Sequence, residues 1–280
     1  MTTLLKFFAF AILTFSMQCN IDGYNTIKGE GEVAEKEFDL TTFKDLSLAN
    51  GWDIKLVQAN ESKLIIKANE NLIEELNIKQ EDLTLKIGTK SMENIGKADS
   101  KIITIYFDGD LSKLKASSGV NLFAPEQLKF KDIEISSSSG SNVELNVITK
   151  KLNCSSSSGS DMILKISSTD VVANSSSGSD LEITGKSKSL SANSSSGSDL
   201  KIEGYTDNLT ADSSSGSSID AKNLKALNIS ASASSGSRIG VYPIETLKAK
   251  SSSGADIRYH NKPSVNLKKN ESSGGSVSIR

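Results

Sequence analysis

Apolar and polar residues alternate along the second half of this chain, and the alternation restarts about every nineteen residues. A short phrase marks each restart: Ser136-Ser-Ser-Ser-Gly140-Ser-Asn-Val, Ser155-Ser-Ser-Ser-Gly159-Ser-Asp-Met, Ser175-Ser-Ser-Gly178-Ser-Asp-Leu and Ser194-Ser-Ser-Gly197-Ser-Asp-Leu. Gly119 opens the series, and Gly216, Gly236, Gly254 and Gly274 continue it. Aligning the copies on the glycine gives four apolar columns. Seven residues before it stand Ile133, Leu152, Val171, Leu190, Leu209, Ile229 and Leu247. Five before it stand Ile135, Cys154 and then alanines from Ala173 to Ala249. Three after it come Leu122, Val143, Met162, Leu181, Leu200, Ile219, Ile239, Ile257 and Val277. Five after it comes a column from Ala124 and Leu145 to Tyr259 and Ile279. Period two within each half-repeat predicts a strand with one buried face.

One such repeat buries almost nothing alone, whereas stacked copies bury a continuous core. An identical register each time makes the pairing parallel. The pattern therefore predicts an all-β chain: a right-handed, single-stranded parallel β-helix with coils of ~19 residues. At ~4.8 Å per rung the nine-glycine ladder is roughly 40 Å long. Each repeat is expected to hold at least two short strands separated by turns. The residue three before each glycine (Ser137, Ser156, Ser175, Ser194, Ser213, Ala233, Ser251) keeps the inward parity. These hydroxyls are expected to bond from rung to rung as a serine ladder, with glycine supplying the positive φ of a tight corner.

The first part of the chain is less regular. Residues 1–19 carry Lys6 and an apolar run from Phe7 to Phe15, too short to span a bilayer, and read as a signal peptide. Cys19 stands where a bacterial lipoprotein is acylated, but Ser16-Met17-Gln18 departs from the usual lipobox, so lipoprotein and plain secretion both stay open. Residues 20–37 read as a tether and first strand. Residues 38–118 read as irregular amino-terminal coils, and 119–280 as the regular array. Lys63–Ala68, Leu83–Ile87 and Ile102–Phe107 read as strands, and Glu70–Leu76 as a single helical turn or a loop. The last strand, Gly275–Arg280, has an edge open to pairing, which predicts end-to-end self-association or capping by an earlier segment.

The net charge of −2 and pI of about 5.7 give no reason to expect nucleic acid as a partner. Cys154 is the only cysteine after Cys19, so it has no internal disulfide partner once a leader is removed, and it reads as a small buried apolar residue. The single histidine, His260, has no partner implied for a triad or a zinc site. Serine without a base is not a nucleophile. No catalytic residue and no cofactor is assigned. Two residues after the glycine lies a polar column that includes Asp161, Asp180 and Asp199. The Gly-Ser-Asp phrase differs from the calcium nonapeptide Gly-Gly-x-Gly-x-Asp-x-Leu-x in period and in leucine position. A solvated acidic ladder is the reading, with calcium at these three aspartates as the alternative.

The segment Phe43-Lys-Asp-Leu-Ser-Leu-Ala-Asn-Gly-Trp-Asp-Ile-Lys-Leu-Val57, then Asn71-Leu-Ile, then Leu83-Thr-Leu-Lys-Ile, then the iterated Ser-Ser-Gly-Ser-Asp-Leu units, resembles the putative auto-transporter adhesin, head GIN domain family of Gram-negative bacteria. The resemblance runs from about Phe38 to Ile279. It implies an exported, cell-envelope parallel β-helix and carries over no catalytic residue. The expected function is a non-enzymatic adhesin or structural binding module for a surface glycan or protein. Membrane contact is expected only through a lipid anchor at Cys19. The alternative is a β-helix that binds or processes carbohydrate, which would need a groove of aromatics and paired carboxylates. The chain's aromatic residues (Tyr24, Trp52, Tyr106, Tyr205, Tyr242 and Tyr259 among them) are few and scattered.

Overall fold

A computed structural model describes residues 26–280. The leader, with Cys19, and Tyr24 lie outside these residues. The chain is nearly all β and stacks into a parallel solenoid of about 9 turns. Among the described residues no helix is long and apolar enough to cross a membrane.

The regular array is a run of long strands: Asn142–Ser156, Asp161–Ser175, Asp180–Ser194, Asp199–Ser213, Ser218–Ala233 and Arg238–Ser251. Each pairs in parallel with the next, and equivalent columns fall opposite each other: Met162 on Leu181, Leu181 on Leu200, Ala173 on Ala192. All four apolar columns point inward through this array, and Met162, Leu181 and Leu200 are each 1% exposed. The fifth-position column loses its cover at its last member, Ile279.

The two short strands expected in each repeat run as one. In Asn142–Ser156 the inward residues are Val143, Leu145, Val147 and Thr149, then Leu152, Cys154 and Ser156, with Lys150 and Lys151 both facing out. That parity slip is a second corner, where the pairing skips Lys150 and resumes at Lys151 in the same register. Ahead of that corner the alternation continues past the expected four columns, adding interior columns through Val147 and Ile166 and through Thr149, Ser187 and Thr206.

At the main corner two residues, not one, have positive φ. Ser139 (54°) precedes Gly140 (67°), and the pair recurs as far as Ser273 (48°) and Gly274 (76°). Ser141 N–H donates to Ser138 O at 3.3 Å, closing the turn. Positive φ at both central residues is the type I′ arrangement. The corner is tied to its neighbour as well, since Gly140 N–H donates to Ser158 O and Gly159 N–H to Ser177 O. A side chain on these corner glycines would meet open space, so glycine serves the backbone angle alone.

The amino-terminal region departs from a simple continuation of the coils. Asp45–Leu48 and Asp53–Ala59 form a coil flanked on both sides by later sequence. On one side lie Thr84–Thr89 and Lys101–Asp108, and on the other Lys113–Ala116 and Asn121–Phe123, all parallel to it. The chain therefore builds this coil, adds one on its outer side, and returns to continue the stack from its other side. Lys63–Asn69 joins antiparallel to Val33–Asp39 and to Lys101–Asp108, and Leu76–Glu81 joins antiparallel to Thr84–Thr89. A short helix, Glu70–Glu75, buries Leu72 and Ile73. Bulk fills this end, with Phe43, Trp52 and Phe107 at 0–1% exposed. The edge strand Val33–Asp39 carries Glu35, Lys36 and Glu37, charges that discourage strand addition.

Candidate functional site

The solenoid offers a ligand two kinds of surface, the serine corners and the rows of outward side chains. The corners owe their rigidity to what lies beneath them. Ser137, Ser156, Ser175, Ser194 and Ser213 are buried as expected, but their hydroxyls do not bond to one another between rungs. Each pairs across its own corner with the serine just after the glycine: Ser137 with Ser141 at 2.9 Å, Ser175 with Ser179 at 3.0 Å, Ser213 with Ser217 at 2.9 Å. A rung spacing of ~4.8 Å exceeds the ~2.8 Å of an O–H···O bond, so vertical pairing needs a lean the tight corner does not allow. One hydroxyl pair does cross between rungs, Ser187 to Thr206 at 3.0 Å, but on the other wall of the coil.

The second serine column (Ser141, Ser160, Ser179, Ser198, Ser217, Ser237) is 0–2% exposed and was not singled out from the sequence. Its members sit in an unbroken polar phrase, and only the turn shows that the residue after the glycine points in. Ser179 Oγ accepts from Ser176 N–H at 3.2 Å and lies 2.8 Å from the carbonyl oxygens of Ser176 and of Ser156 one rung below. Ser179→Ala removes the hydroxyl that ties these groups together, while Ser176 N–H keeps its bond to Ser156 O at 3.1 Å. It should cost about 0.5–1.5 kcal/mol, read from urea unfolding.

The outward row two residues after the glycine is straight, because the register of Asn142 on Asp161, Asp180 and Asp199 is unbroken. Its amino-terminal end is an amide ladder, with Asn142 Nδ2 donating to Asn121 Oδ1 at 2.8 Å and Asn121 Nδ2 to Asp53 Oδ1 at 2.7 Å. Asp161, Asp180 and Asp199 follow one above another. Burial, then the charges of Asp161 and Asp199, hold the Asp180 carboxyl above its usual range. The three point outward in file and do not converge. Among the described residues no group of three or more His, Cys, Asp or Glu side chains is placed to hold a metal ion. The folded chain holds the Asp180 proton more tightly than the unfolded one, so the charged form opposes folding. The penalty is present at neutral pH and fades as pH falls through the raised value. Asp180→Asn should therefore raise the melting temperature at pH 7, and the gain should vanish below about pH 4, where the unfolded carboxyl is also protonated.

Beside this row Lys201 bridges Glu182 (3.0 Å) and Glu203 (3.2 Å) in the open. Cys154 is buried in the alanine column, 3.6 Å from Val172 O, and burial pushes its thiol up to about 12. In native protein Cys154 should stay unreacted toward a thiol reagent at pH 8, and it should react fully once the chain is unfolded. Trp52 is wholly interior, and its indole N–H has no hydrogen-bond partner. Tyr259 is 5% exposed, with Lys269 Nζ 4.8 Å from its ring centre. Neither ring serves as a sugar platform. His260 lies half-buried in the last coils.

Comparison with known proteins agrees with this architecture. Among curated proteins no relative matches. Solved structures match over almost their full length. A putative adhesin from Parabacteroides merdae gives a TM-score of 0.69 at 19% identity, over 91% of this chain and 99% of that one. A putative lipid binding protein from Parabacteroides distasonis gives 0.67 at 20% identity, over 91% and 100%. A putative adhesin from the same species gives 0.68 at 19% identity, over 91% and 100%. At these identities the likeness is one of fold. The family model for the putative auto-transporter adhesin, head GIN domain, matches residues 42–167 and again 164–263, nearly all of the solenoid. The chain belongs to the putative auto-transporter adhesin, head GIN domain family.

Proposed function

We propose that this protein is a non-catalytic, exported binding module of the cell envelope that holds a surface ligand against the outward rows of its solenoid. The observation that carries this reading is the unbroken register from Asn142 to Ser213, which makes each row a straight, rigid line of polar groups at fixed spacing. Such a surface loses little conformational freedom on binding and suits an extended partner that meets several rungs at once. Family membership supports the same reading.

Export rests on the leader, and Cys19 is the proposed site of a lipid anchor; the processed amino terminus, read by mass spectrometry, separates an acylated Cys19 from plain secretion. The last strands, Asn266–Glu271 and Ser276–Ile279, are paired on one side only among the described residues and expose Val265, Leu267 and Ile279. That edge supports end-to-end self-association, which sedimentation at rising concentration tests. The function itself is tested by measuring adhesion of the purified mature protein to arrayed extracellular glycans and matrix glycoproteins. Saturable binding that weakens when Asp161, Asp180 and Asp199 are changed together to Asn, or when Asn142 and Glu144 are changed to Ala, supports the reading. Absence of saturable binding to any arrayed surface overturns it.

A further inference from the structure

The chain contains three arginines, Arg238, Arg258 and Arg280, and one histidine, His260; every other cationic side chain is lysine. All four line one hollow of about 180 Å³ on the flank of the last coils, together with Lys222, Asp220 and Asp256. In sequence they look unrelated, because Arg238, Arg258 and Arg280 stand two, four and six residues after their glycines. Stacking brings them together. Arg258 lies opposite Gly240, Gly240 opposite Asp220, and Arg238 opposite Asp256.

Gly240 makes the hollow. The same outward column carries Glu182, Lys201, Asp220 and Arg258 in neighbouring coils, and here it carries no side chain. A Cβ placed on Gly240 would meet Asp220 Oδ1 at 3.7 Å and His260 Nε2 at 3.8 Å, which are ordinary contacts. The glycine is therefore not needed for the backbone, and its effect is to leave a space walled by Asp220 on the rung before it and by His260 and Arg258 on the rung after. Within that space Asp220 is held by Lys222, and Asp256 by Arg258 at 2.6 Å. Among the described residues Arg238 and Arg280 form no ion pair, so two guanidinium groups remain open to a ligand.

We propose that this hollow binds the carboxylate or sulfate group of an acidic sugar in an extracellular glycan. Arginine presents a planar fork of donors that matches a carboxylate or sulfate two bonds at a time, where lysine offers a point charge. The volume equals that of about six water molecules, enough for one anionic group and part of the ring that bears it. The carboxylates of Asp220 and Asp256 disfavour a bare inorganic anion, but they and the Ser218 hydroxyl can accept hydrogen bonds from the hydroxyls of a sugar. A ligand that carries an anionic group and hydroxyls side by side satisfies both halves of the site. This inference rests on the binding-module reading and names one subsite and one ligand class for it.

The test is calorimetric titration of the full mature protein with tetragalacturonate, a heparin-derived tetrasaccharide, neutral maltotetraose, inorganic sulfate and phosphatidylglycerol vesicles. One or both acidic oligosaccharides should saturate a single site at least tenfold more tightly than sulfate, with no binding of the neutral sugar. Arg238→Ser and Gly240→Leu, the second filling the hollow at ordinary contact distance, should each weaken that binding tenfold or more while the melting temperature stays unchanged. If either variant fails to fold, Arg258→Ser replaces it. Binding equal for neutral and acidic sugars, preference for sulfate ion or vesicles, indifference to the variants, or no saturable binding overturns the inference. Should the acidic probes fail while the protein still adheres to arrayed surfaces, this subsite falls and the wider reading stands. Should adhesion fail as well, both fall.

Discussion

Gly204→Ala is expected to destabilise the solenoid by about 2–5 kcal/mol, the sum of forced overpacking and of an unfavourable φ for a residue with a Cβ. Gly204 has φ 120°, and a Cβ there would lie 1.9 Å from the carbonyl oxygen of Gly185 on the rung below. Gly185 repeats the situation, with φ 151° and a Cβ position 1.9 Å from Ile166 O. These obstacles are ladder carbonyls rather than flexible side-chain ends, so relief requires moving a rung. The matched control is Gly197→Ala at a corner. There φ is 68° and the Cβ space is empty, so only the backbone term of about 1–2 kcal/mol should appear. Urea unfolding of the two variants side by side checks both. Equal costs would show that the wall near Gly185 and Gly204 is not packed as described.

Leu181→Asp should be more damaging, because it removes a core side chain and places a carboxylate in its stead. Leu181 is 1% exposed and lies between Met162 and Leu200. Losing a buried leucine costs about 2–5 kcal/mol by itself, and an uncompensated buried charge adds about 3–5 kcal/mol. In a stack where each coil touches only its neighbours, the damage should be local before it is global. Amide exchange should lose protection first from Asp161–Ser175 to Asp199–Ser213, while the amino-terminal cap with Phe43, Trp52 and Phe107 keeps it. Leu181→Met, which conserves volume, should cost less than about 1.5 kcal/mol.

The regular array was legible in the sequence because a fixed period reports stacking directly. Once Leu181 and Leu200 are seen to occupy the same position in successive phrases, their contact follows. Three features were not legible, each for a physical reason. The inward turn of Ser141, Ser160 and Ser179 depends on two positive-φ residues in a row, and sequence points only to the glycine. The Thr149, Ser187 and Thr206 column continues the alternation of Val143, Leu145 and Val147 but is polar, so a search for apolar columns passes it by, and the corner at Lys150 and Lys151 then shifts parity inside a continuous strand. The amino-terminal coils add on both sides of Asp45–Ala59, an order set by long-range pairing with no local signature. The surface was less legible still. The Asp161, Asp180 and Asp199 row could be read as a row because its members share one column. The arginine hollow could not, because Arg238, Arg258 and Arg280 occupy three columns and meet only when the coils are wound.

The account depends on in-register stacking of successive coils, and paired spin labels on one outward row measure it directly. Asn142 and Ser218 are four rungs apart along the row, and Asn142 and Ser276 seven. Each position takes a cysteine in turn, and buried Cys154 should remain unlabelled. At ~4.8 Å per rung the pairs should lie ~19 Å and ~34 Å apart, so the second distance should exceed the first by ~14 Å whatever the length of the label. Two similar distances, or a longer one for the nearer pair, would contradict a parallel solenoid.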